Sequence, residues 1–442
     1  MSFGRGDHVE LAVALLADIE RGGLPCVFDD GAIYRYSRDE GRWRIVERED
    51  SSCIVQSFAG VRLQTAKVLK IGAKDVAGAI SLAQDRCHRR DFFATAPTGL
   101  VFAGQFVRVT ADGIGVVANA PEHRARYGYP FAYTEAPPRR WLDMLRALFR
   151  DDADQAERIE LVQEFFGACL LGIATRYQRC LIAIGDGENG KSKFGDVMLA
   201  AMPDGSTCSV PPQSWGDEYR RAMLAGKRLN FVSELPEREI IESEPVKAVI
   251  DGSQIDARAI RQSPFNFRPS AGNFFAANAL PGTQDQTHAF WRRMLLLRFT
   301  RSFDGDPAAD PDVAATVVST ELPEVVGWLC AGARRLMLRG KYTVPASHAH
   351  ELAEWKRGSD SVRMFVLEEM REIPAAQCFT AGPHWIIAAD LYKLFRAWCD
   401  GGGYKAMARN KFGQRLRLVL PATHAPRSYG GVTRYPLLRL EQ

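Results

Sequence analysis

Residues 181–194, LIAIGDGENGKSKF, set Gly185, Gly190, Lys191 and Ser192 at the spacing G-x-x-x-x-G-K-[ST], the pattern of a phosphate-binding loop. Each residue type has a mechanical reason. Glycines let backbone N–H groups turn inward around a polyphosphate, and a helix opening at the loop aims its positive dipole end at the same charge. Lys191 is placed to reach the β- and γ-phosphates of ATP, and the Ser192 hydroxyl to hold Mg²⁺. Asp186, Gly187, Glu188, Asn189 and Lys193 fill out the candidate cradle. A loop of this kind needs a buried strand before it and a helix after it. The apolar run 181–184 predicts the strand, and 193–202 predicts the helix. A Gly-rich surface turn, the bland alternative, requires neither flank.

Hydrolysis at such a loop needs an acid at the end of a second buried strand. The run 229–232 predicts that strand, and Glu234 follows Ser233 at its end. Glu234 is the candidate general base and metal-water ligand; taken alone, it also suits the start of a surface loop. Asn278 closes a third predicted strand, 273–277, where a side-chain amide can meet the γ-phosphate and position water. An isolated Asn before a Pro turn is more often a turn residue, and the two preceding strands shift that balance. Arg292 and Arg293 lead into a fourth apolar run, 294–297. They suit an arginine finger that stabilises transition-state charge in a neighbouring subunit. The competing reading is a solvated pair or a clamp on a carboxylate.

Between about 180 and 300, short apolar runs alternate with helical stretches, which implies a parallel sheet covered on both faces. A helix should precede it: Ile159, Val162, Phe165, Phe166, Cys169 and Leu170 share a face, behind Asp154 and Glu157 in the manner of a capping box. Residues 8–20 have helical spacing, 32–36 and 43–46 read as a hairpin, and a second β-rich stretch spans 99–118. Residues 121–138 read as a linker, 308–340 as helices and 345–360 as a polar tether.

A chain of 442 residues has room for several domains and a sizeable core. Its 46% hydrophobic and 25% charged residues are ordinary for a globular protein, and a net charge of +4 names no partner. Nine dispersed cysteines, none in a C-x-x-C pair, argue against zinc and suit reduced thiols. Arg5, Asp7 and Glu10 precede a short apolar patch closed by Asp18 and Glu20, unlike a signal peptide. The apolar stretch 165–174 is about half the length that crosses a bilayer. A soluble cytoplasmic protein without a membrane partner is expected.

The succession GDGENGKSKF, LNFVSE, VKAVIDGSQIDARAIRQSPFNFRP, FFAANALP and FWRRMLLLRF resembles the superfamily 3 helicases, specifically the helicase part of phage and plasmid primase–helicases and their poxvirus relatives. The resemblance is strongest over 140–302. It implies an α/β fold in which a P-loop AAA+-like core with a helical lead-in (140–345) follows an N-terminal α+β domain (1–139) and precedes a C-terminal winged-helix domain (361–442). It further implies a homo-oligomeric ring, usually a hexamer, that hydrolyses ATP with Mg²⁺ at subunit interfaces and draws single-stranded DNA through its centre. Such a ring unwinds forked DNA during replication of a phage, plasmid or mobile element in a bacterial cell, beside a separate primase or polymerase.

Carried over residue by residue, Lys191 and Ser192 take the Walker A roles, Glu234 the Walker B role and Asn278 the sensor role, with Arg292 or Arg293 acting in trans. Lys247 lies where relatives place another basic residue that reaches the neighbour's nucleotide. Arg258, Arg261 and Gln262 fall in the segment that would form the central-channel hairpin, where mobile cations track a phosphate backbone without reading bases. Many relatives carry two acids where this chain has Ser233-Glu234, which leaves the division of labour at Glu234 open.

The C-terminal segment reads as helices at 361–370, 390–399 and 405–418, then a β-wing at 432–440 after Gly430-Gly431. From Lys393 to Arg439 there are ten Lys or Arg against one Asp, and Arg409, Lys411 and Arg415 in the predicted recognition helix are the candidate DNA contacts. The first 140 residues show no pair of acids on neighbouring strands of the kind a primase needs. Two other classes stay open: an ATP-switched DNA-binding replication initiator that does not unwind, and a P-loop motor acting on duplex.

Overall fold

The computed structural model describes residues 3–21, 23–235, 243–260, 264–283, 285–307, 309–378, 385–402 and 406–440. Asp7 opens the first helix, α1 (His8–Ile19), by accepting the Val9 and Glu10 amides. Three antiparallel strands follow, β1 (Val27–Asp29), β2 (Ala32–Ser37) and β3 (Arg42–Val46). Helices α2 (Arg48–Ser57) and α3 (Ala73–Cys87) then close over α1, burying Leu11, Leu15, Val55 and Ile80. A second sheet, in the order β6-β5-β4-β7, is built from β4 (Gly99–Phe102), β5 (Gln105–Val109), β6 (Ile114–Ala118) and β7 (Gly128–Tyr129).

β7 corrects the linker reading of 121–138, because it pairs in parallel with β4. Aromatic residues of this stretch make it adhere: Tyr129 stacks on Phe131 at 4.8 Å and its hydroxyl donates to the Ala201 carbonyl. Leu100, Phe102, Val107 and Tyr129 share one hydrophobic core with Trp141, Phe166 and Leu329. The 139/140 boundary therefore lies inside a continuous core.

The central segment runs α4 (Arg139–Leu148), α5 (Gln155–Leu171), β8 (Cys180–Ile184), α6 (Lys191–Ala200), β9 (Thr207–Cys208), α7 (Glu218–Ala222), β10 (Leu229–Val232), α8 (Ser243–Ile250), β11 (Ile255–Ala257), β12 (Phe265–Phe267), β13 (Gly272–Ala277), α9 (His288–Trp291), β14 (Met294–Arg298), α10 (Val313–Arg339) and α11 (His348–Ser359). Among the described residues, a parallel sheet has the order β14-β8-β13-β10-β9. Every residue of β8, β10 and β13 is buried, as a parallel sheet covered on both faces requires.

The expected capping box before α5 does not form. Asp154 makes no cap hydrogen bond. Its carboxylate instead accepts from Arg158 Nε at 2.6 Å and the Ser347 amide at 2.8 Å, tying α5 to the start of α11. α10 is long and apolar enough to cross a bilayer, yet Val317, Val326, Leu329 and Leu336 are buried in the core that also holds Phe165 and Phe166 of α5.

Residues 345–360 are not a tether: α11 packs on β14. His348 Nδ1 accepts the Leu296 amide at 3.2 Å, and Glu351 pairs with Arg298 at 3.0 Å. Trp355 meets Trp291 edge-on at 5.0 Å. Two of the polar residues that suggested solvent exposure, His348 and Glu351, are buried against the sheet and satisfied there.

The C-terminal segment comprises α12 (Ser361–Glu369), β15 (Met370–Glu372), β16 (Ile386–Ile387), α13 (Ala388–Gly402), α14 (Arg409–Val419), β17 (Arg427–Tyr429), β18 (Val432–Tyr435) and β19 (Leu437–Arg439). Phe365, Phe395, Phe412 and Leu416 bring the three helices together in a core of their own. The β17–β18 hairpin turns at Gly430 and Gly431, whose φ values of 57° and 76° suit glycine.

Candidate functional site

The sheet order places the tip of β13 between the tips of β8 and β10. The loop after β8, the tip of β10 and the tip of β13 thus open onto one cavity of about 880 Å³. Residues 187–193, Ser233, Glu234 and Asn278 line it. The loop owes its shape to residues that tolerate left-handed backbone: Gly187 has φ 100° and Gly190 has φ 79°. A side chain at Gly190 would run into Leu148 Cδ2, so glycine is required there on two counts. Gly185 is constrained by space alone, since a Cβ would collide with the Asn189 amide. Asp186 lies in the same loop and is exposed.

Lys191 sits at the first residue of α6. Its ammonium donates to the Gly185 carbonyl and lies 3.4 Å from Asn278 Oδ1. Burial pulls its pKa below the ordinary lysine value, with Asp186 opposing. A cation held this way gains from an incoming anion. Asn189 is buried and its Nδ2 has no partner, an unsatisfied donor in the loop. Ser192 and Lys193 are exposed at the opening of α6, and Glu234 is exposed after β10. This donor set fits a polyphosphate with its divalent cation: amides and an ammonium on one side, a hydroxyl and a carboxylate on the other.

Sequence reasoning missed the opposite wall. Met144 and Leu148 of α4, Leu199 of α6, and Phe303, Pro311 and Val313 give the cavity an apolar end. The Phe303 amide donates to the Glu188 carbonyl at 2.8 Å, fastening this segment to the loop. The available signal was a Phe-Asp-Gly-Asp turn after a buried strand, which names no chemistry by itself.

The two arginines part company. Arg293 is buried and grips Asp251 through both nitrogens of its fork, Nε to Oδ1 at 2.8 Å and Nη2 to Oδ2. The guanidinium is spent inside its own protomer, which corrects its candidacy as a finger in favour of the carboxylate clamp. Arg292 is half-buried and donates from Nη2 to Gln178 Oε1 at 2.8 Å. Lys247 does not line the cavity of its own chain. It pairs with Asp285 at 2.8 Å, and that hydrogen bond holds its pKa above the ordinary value.

Strands β11 and β12 form an antiparallel hairpin across the expected channel segment. Arg258 follows β11, and its amide donates to the Glu218 carbonyl at 3.2 Å. Arg261 and Gln262 lie outside the described residues. On α14, Arg409 and Lys411 are exposed. Arg415 is not free in the same way: its Nε and Nη2 both donate to Oδ2 of the buried Asp360 at the start of α12. Its role is to join two helices of the C-terminal core, which corrects its place among the DNA contacts.

Comparisons with known proteins bear on both parts of the chain. Residues 183–293 match a family of unknown function, DUF5906, and residues 357–429 match the Poxvirus D5 protein-like family. A protein of Frog virus 3 (isolate Goorha), named "Putative helicase 022R", is 23% identical over 261 residues. The C-terminal match and the viral relative are what the chain shares with poxvirus-type primase–helicases. That match to the viral protein spans 53% of this chain but only 26% of the viral protein. Among solved structures, two apo forms of the NrS-1 C-terminal region cover 97% and 96% of it, and 99% and 98% of their own chains. Their identities are 11% and 10%, with TM-scores of 0.47 and 0.43.

Proposed function

We propose that this chain is an ATP-dependent DNA helicase of superfamily 3 type, acting in replication of a phage, plasmid or mobile element. The observation that carries the reading is the meeting of three strand tips at one cavity, with the Lys191 ammonium 3.4 Å from Asn278 and Glu234 on the same wall. The strand order, with the Asn278 strand between the loop strand and the Glu234 strand, supports an AAA+-like core.

In this reading the loop amides and Lys191 bind the phosphates of ATP, and the apolar end formed by Leu148, Phe303 and Val313 takes the base. Ser192 and Glu234 hold Mg²⁺, which when bound neutralises charge on the transferring phosphoryl group. Glu234 orients the attacking water and accepts its proton, and Asn278 holds that water against the γ-phosphate. Arg292 reaches a neighbour's nucleotide in a ring, for which a hexamer is the expected size, and Lys247 supports the same interface. The β11–β12 hairpin contacts single-stranded DNA. The helices and hairpin of 361–442 support a winged-helix reading in which Arg409 and Lys411 face DNA phosphates.

The test is nucleotide turnover with and without single-stranded DNA, together with strand separation on a forked substrate. Wild-type protein should hydrolyse ATP faster with DNA and open the fork, and Lys191→Ala should do neither. ATP binding without turnover or unwinding would replace this reading with an ATP-switched initiator. Normal hydrolysis by Lys191→Ala would overturn the site itself.

A further inference from the structure

A second cavity, of about 670 Å³, lies between the β1–β2 turn and the base of the β11–β12 hairpin. Its walls bring Arg126, Arg176, Arg228 and Arg268 together from distant parts of the chain. The acids nearby are already engaged. Asp30 pairs with Arg126 at 2.8 Å, Asp29 accepts the Phe93 amide at 3.0 Å, and Asp91 lies 3.5 Å from Arg90. Arg176 and Arg268 are exposed, and among the described residues their side chains make no hydrogen bond or ion pair.

Arg228 is the most informative of the four. One nitrogen donates to the Leu171 carbonyl at 2.8 Å, and the guanidinium lies over the Tyr127 ring at 5.3 Å. Its Nε is buried without a partner, and no carboxylate pairs with it among the described residues. Burial, then the nearby Arg126 charge, pulls its pKa down to about 10. A sequestered cation that lacks a counter-ion is unfavourable, so the fold holds a positive charge here at a cost that an anion would offset. The Phe265 ring packs against Gly31, so the hairpin base and the N-terminal turn close the cavity from opposite sides.

We propose that this cleft is a second binding site for the phosphodiester backbone of single-stranded nucleic acid, carrying the strand from the hairpin into the body of the protomer. Arginine forks match phosphate oxygens. The proposal rests on the DNA-binding reading above and adds a location to it.

The experiment measures binding of a fluorescein-labelled oligothymidylate to the full chain by anisotropy across a salt series, for wild type and for the double variant Arg176→Ala/Arg268→Ala. Single strands lose roughly 0.7 in salt slope per phosphate contact. The variant should therefore show a slope shallower by about 1.4 and at least tenfold weaker binding at low salt, with binding of a fluorescent ATP analogue unchanged. An unchanged slope and affinity would overturn the cleft while leaving the DNA-binding reading intact. Failure of the wild-type protein to bind oligothymidylate at any salt would overturn that reading and the cleft together. A variant that loses affinity for a blunt duplex but not for oligothymidylate would also refute the proposal.

Discussion

Replacing Arg293 by alanine separates a structural role from a catalytic one. Its side chain is 6% exposed and that of Asp251 is 18% exposed. The pair is bidentate, and a third nitrogen of Arg293 donates to the Ala289 carbonyl. Removing one member of a buried pair costs about 3–5 kcal/mol, because the other charge is left uncompensated. The partial exposure of Asp251 places this case near the lower end, about 3 kcal/mol. For a unit of about 200 residues each kcal/mol moves Tm by roughly 2–4 °C, so Arg293→Ala should melt about 6–12 °C below wild type. Asp251→Ala/Arg293→Ala should recover part of that loss, since neither charge remains. Arg292→Ala removes one hydrogen bond to Gln178, worth about 1 kcal/mol. If Arg292 is the finger, its variant loses about 10³-fold or more in kcat while still binding ATP. Thermal unfolding and steady-state hydrolysis on the same preparations check both. An Arg293→Ala protein with wild-type Tm and no turnover would refute this assignment, and an Arg292→Ala protein with normal turnover would leave the chain without a finger.

Other outcomes follow from the same geometry. Gly190→Ala should weaken ATP binding about tenfold, because a left-handed residue with a Cβ costs roughly 1–2 kcal/mol and Leu148 must move; calorimetric titration showing wild-type affinity would contradict it. His348 is held neutral, its pKa pulled down to about 4 by burial and then by Arg179 and Lys356. The unfolded chain therefore binds a proton that the folded chain refuses between about pH 6.5 and 4. Stability from this group is complete above that window and declines as pH falls through it, by about 2 kcal/mol at pH 5. His348→Gln should flatten the drop in Tm between pH 7 and 5, and equal slopes for variant and wild type would disprove it. Arg409→Ala/Lys411→Ala should reduce the salt slope of duplex DNA binding by about 1.8. A slope unchanged in a filter-binding salt series would remove α14 from the DNA surface.

The parts of this fold that were legible in sequence are those set by local patterning. β10 matches the apolar run 229–232, and β8 and β14 each extend the expected strand by a single residue, because short apolar runs between breakers have few other places to go in a covered sheet. What escaped were pairings made at a distance. α11 was hidden because His348 and Glu351 are polar by type, and only the sheet edge they face makes them interior residues. The wall formed by Phe303 and Val313 was hidden because its partner is the backbone of Glu188, well over a hundred residues earlier. Arg292 and Arg293 make the point most sharply. Both lie in the turn between α9 and β14, Arg292 with helical backbone as the α9 cap, so no strand periodicity distinguishes them. The sequence shows two identical side chains; the choice between them is made by Asp251, 42 positions away, on a turn whose location nothing local to Arg293 reveals. A finger can therefore be only the residue whose partner is weak enough to release it, and the single hydrogen bond from Arg292 to Gln178 meets that condition where the buried clamp on Asp251 does not.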